Sequence, residues 1–123
     1  IIKSNTILGD DGKVYVIDFS VANVYPRVQE VVVMAANLLA DGEREGARTL
    51  RQRVDAAVGA YLQAGGELLE AELGCAYNYA IAGVAMEFLG SVYERLRGEN
   101  AEEVAYWHNL GLAGLREALG SEV

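Results

Sequence analysis

The sequence predicts a mainly α-helical chain with one β-hairpin near its N-terminus. Two patterns carry this prediction. Residues 6–17 form two short apolar runs joined by a glycine-bounded turn, whereas the apolar residues beyond Pro26 recur every three or four positions, which is the period of an α-helix. With 123 residues, 52% of them apolar, the chain can bury one modest core, so we expect a single unit.

The hairpin is predicted from residues 6–8 and 14–17, which favour strands, and from the segment Gly9-Asp10-Asp11-Gly12 between them. An Asp-Gly pair between two such runs is a strong hairpin signal, because glycine accepts the positive φ that tight turns require. A hairpin also returns the chain to its starting side. The residues just before and just after it should therefore lie together.

Four helices are predicted after the hairpin. The first follows Pro26 and ends at Asp41-Gly42, and the others cover residues 43–64, 67–98 and 101–119. Gly74 and Gly83 are expected either to kink the third helix or to admit a close neighbour. The residues predicted to be buried are Val28, Val31, Val32, Ala35, Leu38, Leu39, Leu50, Val54, Val58, Tyr61, Leu62, Tyr77, Ile81, Val84, Phe88, Val92, Leu96, Val104, Trp107, Leu110, Leu115 and Leu119.

The composition of the chain disfavours some classes of binding partner and indicates a cellular compartment. The 18 acidic side chains outnumber the 10 basic ones, and the resulting formal net charge of −8 disfavours binding to nucleic acid. The single cysteine, Cys75, has no second cysteine to pair with and no metal-type spacing, which favours a reducing, cytoplasmic location. The sequence opens without a signal-peptide pattern, and Asn78 and Glu87 interrupt the most apolar stretch, so no membrane association is expected.

Two polar residues flank the hairpin and form the candidate site. Asn5 precedes the first strand and Asp18 follows the second, so their side chains can converge at the mouth of the hairpin. An amide oxygen and a carboxylate are hard ligands, which magnesium prefers when phosphates fill its remaining positions. Kinases place an asparagine and an aspartate around a short hairpin in this way to hold the metal ions of the nucleotide. The sequence therefore predicts a magnesium site at Asn5 and Asp18.

Residues 1–20, IIKSNTILGDDGKVYVIDFS, resemble the aminoglycoside phosphotransferase and choline kinase family, which shares the protein-kinase fold. Family members carry a line similar to HGD-x-x-x-x-N-[IV]-L-x-x-x-G-x-x-x-x-[VI]-I-D-[FW]. Asn5 and the segment Val16-Ile17-Asp18-Phe19 match it at the same spacing, whereas Thr6-Ile7 stands in place of [IV]-L and the glycine, Gly12, comes one position later. Because the asparagine comes five residues after the catalytic aspartate, the resemblance puts that base immediately before Ile1 and no catalytic base in this chain. The chain is thus expected to be part of the C-terminal lobe, with the metal-binding hairpin in residues 1–25 and a helical subdomain in residues 26–123.

The resemblance implies an enzyme that moves the γ-phosphoryl group of ATP or GTP to a hydroxyl of a small molecule, such as an aminoglycoside, choline or an amino-alcohol. Mg²⁺ and the nucleotide are the implied cofactors, with Asn5 and Asp18 as metal ligands. Lys3 is implied to support the catalytic loop, and so is Glu30, which stands where the family usually has aspartate. The nucleotide-binding lobe would be an N-terminal part missing from this chain. The chain alone is therefore expected to be inactive and to self-associate through apolar surface.

The function of the chain, His108 and Cys75 also have less specific interpretations. A non-catalytic helical interaction module, or a pseudokinase remnant with an unused hairpin, is the alternative to an enzyme. His108 lacks a second metal-binding side chain at helical spacing, which favours a partly buried aromatic over a metal ligand. Cys75 is expected to be a packing residue rather than a nucleophile.

Overall fold

The computed structural model of the chain describes residues 3–20, 22–40 and 46–120. A 3-10 turn, Lys3–Asn5, leads into strands β1 (Thr6–Leu8) and β2 (Val14–Val16). The helices α1 (Arg27–Asn37), α2 (Leu50–Gln63), α3 (Glu70–Leu96) and α4 (Glu102–Leu119) follow in order. The predicted class, mainly α with one antiparallel two-stranded hairpin, is confirmed for the described residues.

The hairpin forms around the predicted turn. Thr6 pairs with Val16 and Leu8 with Val14, and Gly12 takes the left-handed φ of 77° that the turn requires. The Asp11 carboxylate accepts hydrogen bonds from the Lys13 backbone N–H at 3.1 Å and from the Tyr15 hydroxyl at 2.9 Å. These bonds fix the turn from within the hairpin.

The core lies between α1, α2, α3 and α4, and the most extensive helix contact is that of α3 with α4. Gly111 allows this close approach, because a Cβ at Gly111 would lie 2.7 Å from the Val84 carbonyl oxygen on α3. Of the two alternatives predicted for Gly74 and Gly83, the close neighbour was wrong, since a Cβ at either position would meet nothing within 4 Å. The buried hydrophobic residues are Val28, Val31, Val32, Ala35, Ala36, Leu50, Val54, Ala57, Ala76, Ala80 and Val84.

Helices α2 and α3 begin later than predicted, at Leu50 and Glu70, because capping groups determine their first turns. At α2, the Gln52 backbone N–H donates to the Thr49 hydroxyl at 3.1 Å and the Thr49 N–H donates to the Gln52 side chain at 2.9 Å, which forms a capping box. The Glu117 carboxylate on α4 also accepts hydrogen bonds from the backbone N–H groups of Leu50 and Arg51. The first helix ends at Asn37, earlier than predicted, and the predicted stop at residues 41–42 lies outside the described residues.

The predicted apolar faces are correct in the middle of the helices and wrong at some of their ends. Leu62, Leu96 and Leu119 are 40%, 82% and 64% exposed. Each lies in the last turn of its helix, beyond the reach of the packed neighbours. None of the described helices has both the length and the apolar character that crossing a membrane demands.

Candidate metal and nucleotide site at the hairpin mouth

The mouth of the hairpin brings Asn5 and Asp18 to one cavity. The Asn5 carbonyl oxygen accepts a hydrogen bond from the Ile17 backbone N–H at 2.9 Å, which extends the ladder by one residue beyond β1 and β2. Asp18 follows directly. Both residues line a cavity of about 640 Å³ between the hairpin and the start of α1. The remaining lining residues are Val16, Ile17, Phe19, Ala22, Asn23, Tyr25, Pro26, Arg27, Gln29, Glu30 and Val33.

Asp18 departs from ordinary strand geometry. Its φ of 58° is the one left-handed backbone among the non-glycine residues that the structure describes. This conformation is unfavourable for most L-residues and turns the chain sharply out of β2, although aspartate tolerates it better than most. Outliers of this kind are frequent at functional sites, so the strain marks Asp18 as a candidate independently of any motif.

The Asp18 carboxylate is exposed and held in its ionised form. The Ser20 hydroxyl and then the Ser20 backbone N–H, which donates to Asp18 Oδ1 at 3.2 Å, lower the pKa of the Asp18 carboxyl below its usual value. A hydrogen bond donated to a carboxylate stabilises the charged form. At neutral pH this residue therefore offers a full negative charge to the cavity.

Glu30 shares the cavity with Asn5 and Asp18, because the first turn of α1 forms one of its walls. Lys3 belongs to the 3-10 turn that carries Asn5, but its side chain lies outside the described part of the structure. Of the four residues predicted from sequence, the structure thus brings three to one cavity.

Arg27 is a wall residue that the sequence analysis did not assign. Its guanidinium donates to the Glu67 backbone carbonyl at 3.1 Å and lies 3.8 Å from the Glu67 carboxylate. These contacts tie the start of α1 to the segment before α3 and place a guanidinium, ion-paired with Glu67, in the cavity wall. In the sequence, the position of Arg27 between Pro26 and Glu30 was the one signal that could have identified it as a wall residue.

The donors at this cavity fit magnesium better than a transition metal. The described residues hold no group of three or more His, Cys, Asp or Glu side chains placed to bind an ion. What the cavity offers instead is the amide of Asn5 and the carboxylate of Asp18, with their hard oxygen atoms. Mg²⁺ is commonly held by one or two protein groups, with phosphate and water in its other positions.

The Ser91 and His108 pair is structural. The Ser91 hydroxyl donates to the Phe88 carbonyl at 2.6 Å, and the same oxygen lies 3.2 Å from His108 Nδ1. Ser91 is 4% exposed, and the His108 ring lies 5.0 Å from the Phe88 ring. Because the serine proton is committed to a backbone carbonyl, this pair lacks the arrangement of a nucleophile and its base. His108 is a half-buried aromatic, as predicted.

Comparison of the chain with protein-family models, with curated proteins and with solved structures finds no match.

Proposed function

We propose that this chain forms the metal-holding part of a kinase-like phosphotransferase, which transfers the γ-phosphoryl group of ATP or GTP to a hydroxyl of a small molecule. The observation that carries the proposal is the convergence of Asn5 and Asp18 on one cavity at the hairpin mouth. The resemblance of residues 1–20 to the aminoglycoside phosphotransferase and choline kinase family supports the same reaction class.

In this reaction the protein mainly positions the reactants and neutralises charge. Asp18 and Asn5 would hold Mg²⁺, which when bound supplies positive charge against the nucleotide phosphates. Ser20 keeps the Asp18 carboxylate ionised and oriented by its hydrogen bonds. The Arg27 guanidinium, held by Glu67, would offer N–H donors to the phosphates from the same wall. Glu30 and Lys3 would support the loop that carries Asn5.

The test is phosphate transfer by the full-length product of the reading frame, with Mg²⁺ and ATP or GTP, against a panel of small alcohols and amino-alcohols. We expect turnover with at least one acceptor. Asp18→Asn keeps the size of the side chain and its tolerance of left-handed backbone, but removes the negative charge. It should lower kcat/KM more than about 100-fold, because removing a metal ligand should cost at least as much as removing an outer-shell partner of one.

The matched control is Asp10→Asn, which removes a carboxylate from the hairpin turn rather than from its mouth. Asp10 lies outside the cavity wall, so this variant should keep kcat/KM within about twofold. Equal losses in the two variants would contradict the assignment of Asp18 as a metal ligand. Absence of transfer to every acceptor, by a protein that binds Mg-nucleotide, would instead favour the pseudokinase alternative.

An interaction module is the second candidate function, and the surface of the hairpin favours it. Leu8 and Val14, which pair across the two strands, are 73% and 66% exposed, which is unusual for neighbouring apolar residues. Contiguous exposed apolar surface frequently marks a protein-binding site. If the hairpin only docks a partner, Leu8→Ser should abolish that association, while Asp18→Asn should leave it intact.

A further inference from the structure

Helix α3 has one side that the described residues leave uncovered. Its buried side chains, Ala76, Ala80, Val84 and Ser91, lie on the side that faces the core. The opposite side of the helix is exposed along most of its length. We call it the outer face of α3, and it consists of Asn78, Ala82, Met86, Leu89, Tyr93 and Leu96.

The outer face of α3 carries no charge. Between Leu73 and Tyr93 the only charged residue of the helix is Glu87, which is half-buried and does not lie on the outer face. The solvent side of a surface helix is normally polar or charged. Here the large side chains follow one another at spacings of three and four residues and are between 58% and 82% exposed, namely Met86, Leu89, Tyr93 and Leu96. An exposed apolar strip with this spacing indicates a surface that packs against another helix.

The size of the side chains changes along the outer face. Its small residues, Asn78 and Ala82, lie in the half nearer the N-terminus of α3, and its large apolar residues lie in the other half. When two copies of α3 pack antiparallel, Ala82 of each copy can lie opposite Leu89 of the other, and Asn78 opposite Tyr93. Each large side chain then fills the space beside a small one, which gives dense packing. Parallel packing would instead put large side chains against large ones.

The charges at the ends of α3 favour the same orientation. Glu70 and Glu72 lie in the first turn of the helix. At the other end, the Arg97 guanidinium lies 5.6 Å from the centre of the Tyr93 ring, at the edge of the outer face. Antiparallel packing brings this arginine towards the acidic first turn of the other copy, and it also places the helix dipoles in opposite directions. Size and charge therefore both match a second copy of this chain.

We infer that the outer face of α3 is the interface of a homodimer in which the α3 helices of two copies pack antiparallel. Burying the four large side chains of both copies would remove about 1,000 Å² from water, which reaches the lower limit of a specific interface. None of the residues of the outer face lines the cavity at the hairpin mouth. The inference therefore goes beyond the proposed function and does not depend on it.

Sedimentation velocity of the full-length product tests the dimer. We expect a dimer with a Kd of roughly 1–20 µM, because the interface is small. Leu89→Glu would bury a charge against Ala82 of the other copy and should raise the Kd more than about tenfold. The matched control is Leu119→Glu, the same substitution at a leucine of similar exposure on α4, which should keep the Kd within about twofold. Since both leucines are exposed, both variants should keep the circular dichroism spectrum of the parent protein.

Cysteine cross-linking tests the orientation of the helices. In a Cys75→Ser background, Ala82→Cys combined with Leu89→Cys should give a covalent dimer on mild oxidation, because these positions face each other across the antiparallel pair. Within one helix they are about 10 Å apart, which is too far for a disulfide. Each single cysteine variant should stay uncross-linked, since the same position on the other copy is also about 10 Å away along the helix axis. A parallel pair would instead cross-link both single variants.

Three results would overturn the inference. These are a full-length product that stays monomeric up to about 200 µM, equal weakening of the dimer by Leu89→Glu and Leu119→Glu, and efficient cross-linking of the single cysteine variants. Asp18→Asn should leave the dimer intact, because Asp18 lies at the hairpin mouth and not on α3. Loss of the proposed function and loss of the dimer are therefore observed separately.

Discussion

Glu72 on α3 accepts a hydrogen bond from the backbone N–H of Val28, in the first turn of α1, at 3.3 Å. The other oxygen of the same carboxylate accepts from the Leu69 N–H at 2.9 Å, just before α3 begins. One side chain thus satisfies free donors at the starts of two helices that are far apart in the sequence. Because α1 also forms a wall of the cavity at the hairpin mouth, this link fixes the position of the candidate site relative to the core.

The first prediction is that the hydrogen bonds accepted by Glu72 make the stability of the fold depend on pH. The Leu69 N–H, followed by that of Val28 and the nearby Arg27, lowers the pKa of the Glu72 carboxyl in the folded chain, although partial burial opposes this. The folded pKa is below the unfolded one, so the stabilisation is complete above the unfolded value, near 4.5, and is lost as the pH falls through the folded value. Glu72→Gln should therefore lower the urea midpoint at pH 7 and lower it less at pH 3. An equal loss at both pH values would contradict the charge-dependent link.

The second prediction concerns Glu87, whose contribution to stability changes with pH in the opposite direction. Burial in the middle of α3 raises the pKa of the Glu87 carboxyl, so the folded chain binds a proton more tightly than the unfolded chain does. This carboxyl favours folding at low pH, and its contribution is lost as the pH rises through the folded pKa. Glu87→Gln should accordingly raise the urea midpoint at pH 7 and have little effect at pH 3. A loss of stability at pH 7 would show that Glu87 has a partner that its charge supports.

The third prediction tests the left-handed backbone at Asp18. Glycine adopts a φ of 58° without strain, whereas a Cβ without a polar group to compensate it is disfavoured there. Asp18→Gly should therefore melt at least roughly 3 °C above Asp18→Ala, as measured by circular dichroism. Both variants remove the carboxylate, so neither should transfer phosphate in the full-length protein. If the alanine variant is the more stable one, the backbone at this position is not strained.

The convergence of Asn5 and Asp18 was predictable because it depends on local geometry alone. An Asp-Gly turn sets the register of the hairpin, and the register then puts the residues before β1 and after β2 side by side. The strain at Asp18 was not predictable, since nothing in the letters VIDFS distinguishes a left-handed aspartate from an extended one. Its cause is the change of direction between β2 and the segment that leads to α1.

The helix starts could not be predicted from the sequence for a different reason. Helix α3 begins at Glu70 rather than at Glu67 partly because the Glu72 carboxylate accepts a hydrogen bond from Val28, which is a tertiary contact. Periodicity identifies a helix and its apolar face. It does not say which glycine will meet a neighbouring helix.

The fourth prediction compares a glycine that a neighbouring helix approaches closely with a glycine that has no close neighbour. A Cβ at Gly111 would lie 2.6 Å from the Phe88 backbone nitrogen, so α4 would have to move away from α3. Gly111→Ala should therefore lower the free energy of unfolding by about 1–3 kcal/mol, the usual cost of overpacking. Gly74→Ala is the matched control, because its Cβ would meet nothing within 4 Å and alanine is the better helix former, by about 0.5–1 kcal/mol. Urea denaturation should thus show the same substitution destabilising at Gly111 and stabilising at Gly74. If both variants gained stability, the close approach of α4 to α3 would be wrong.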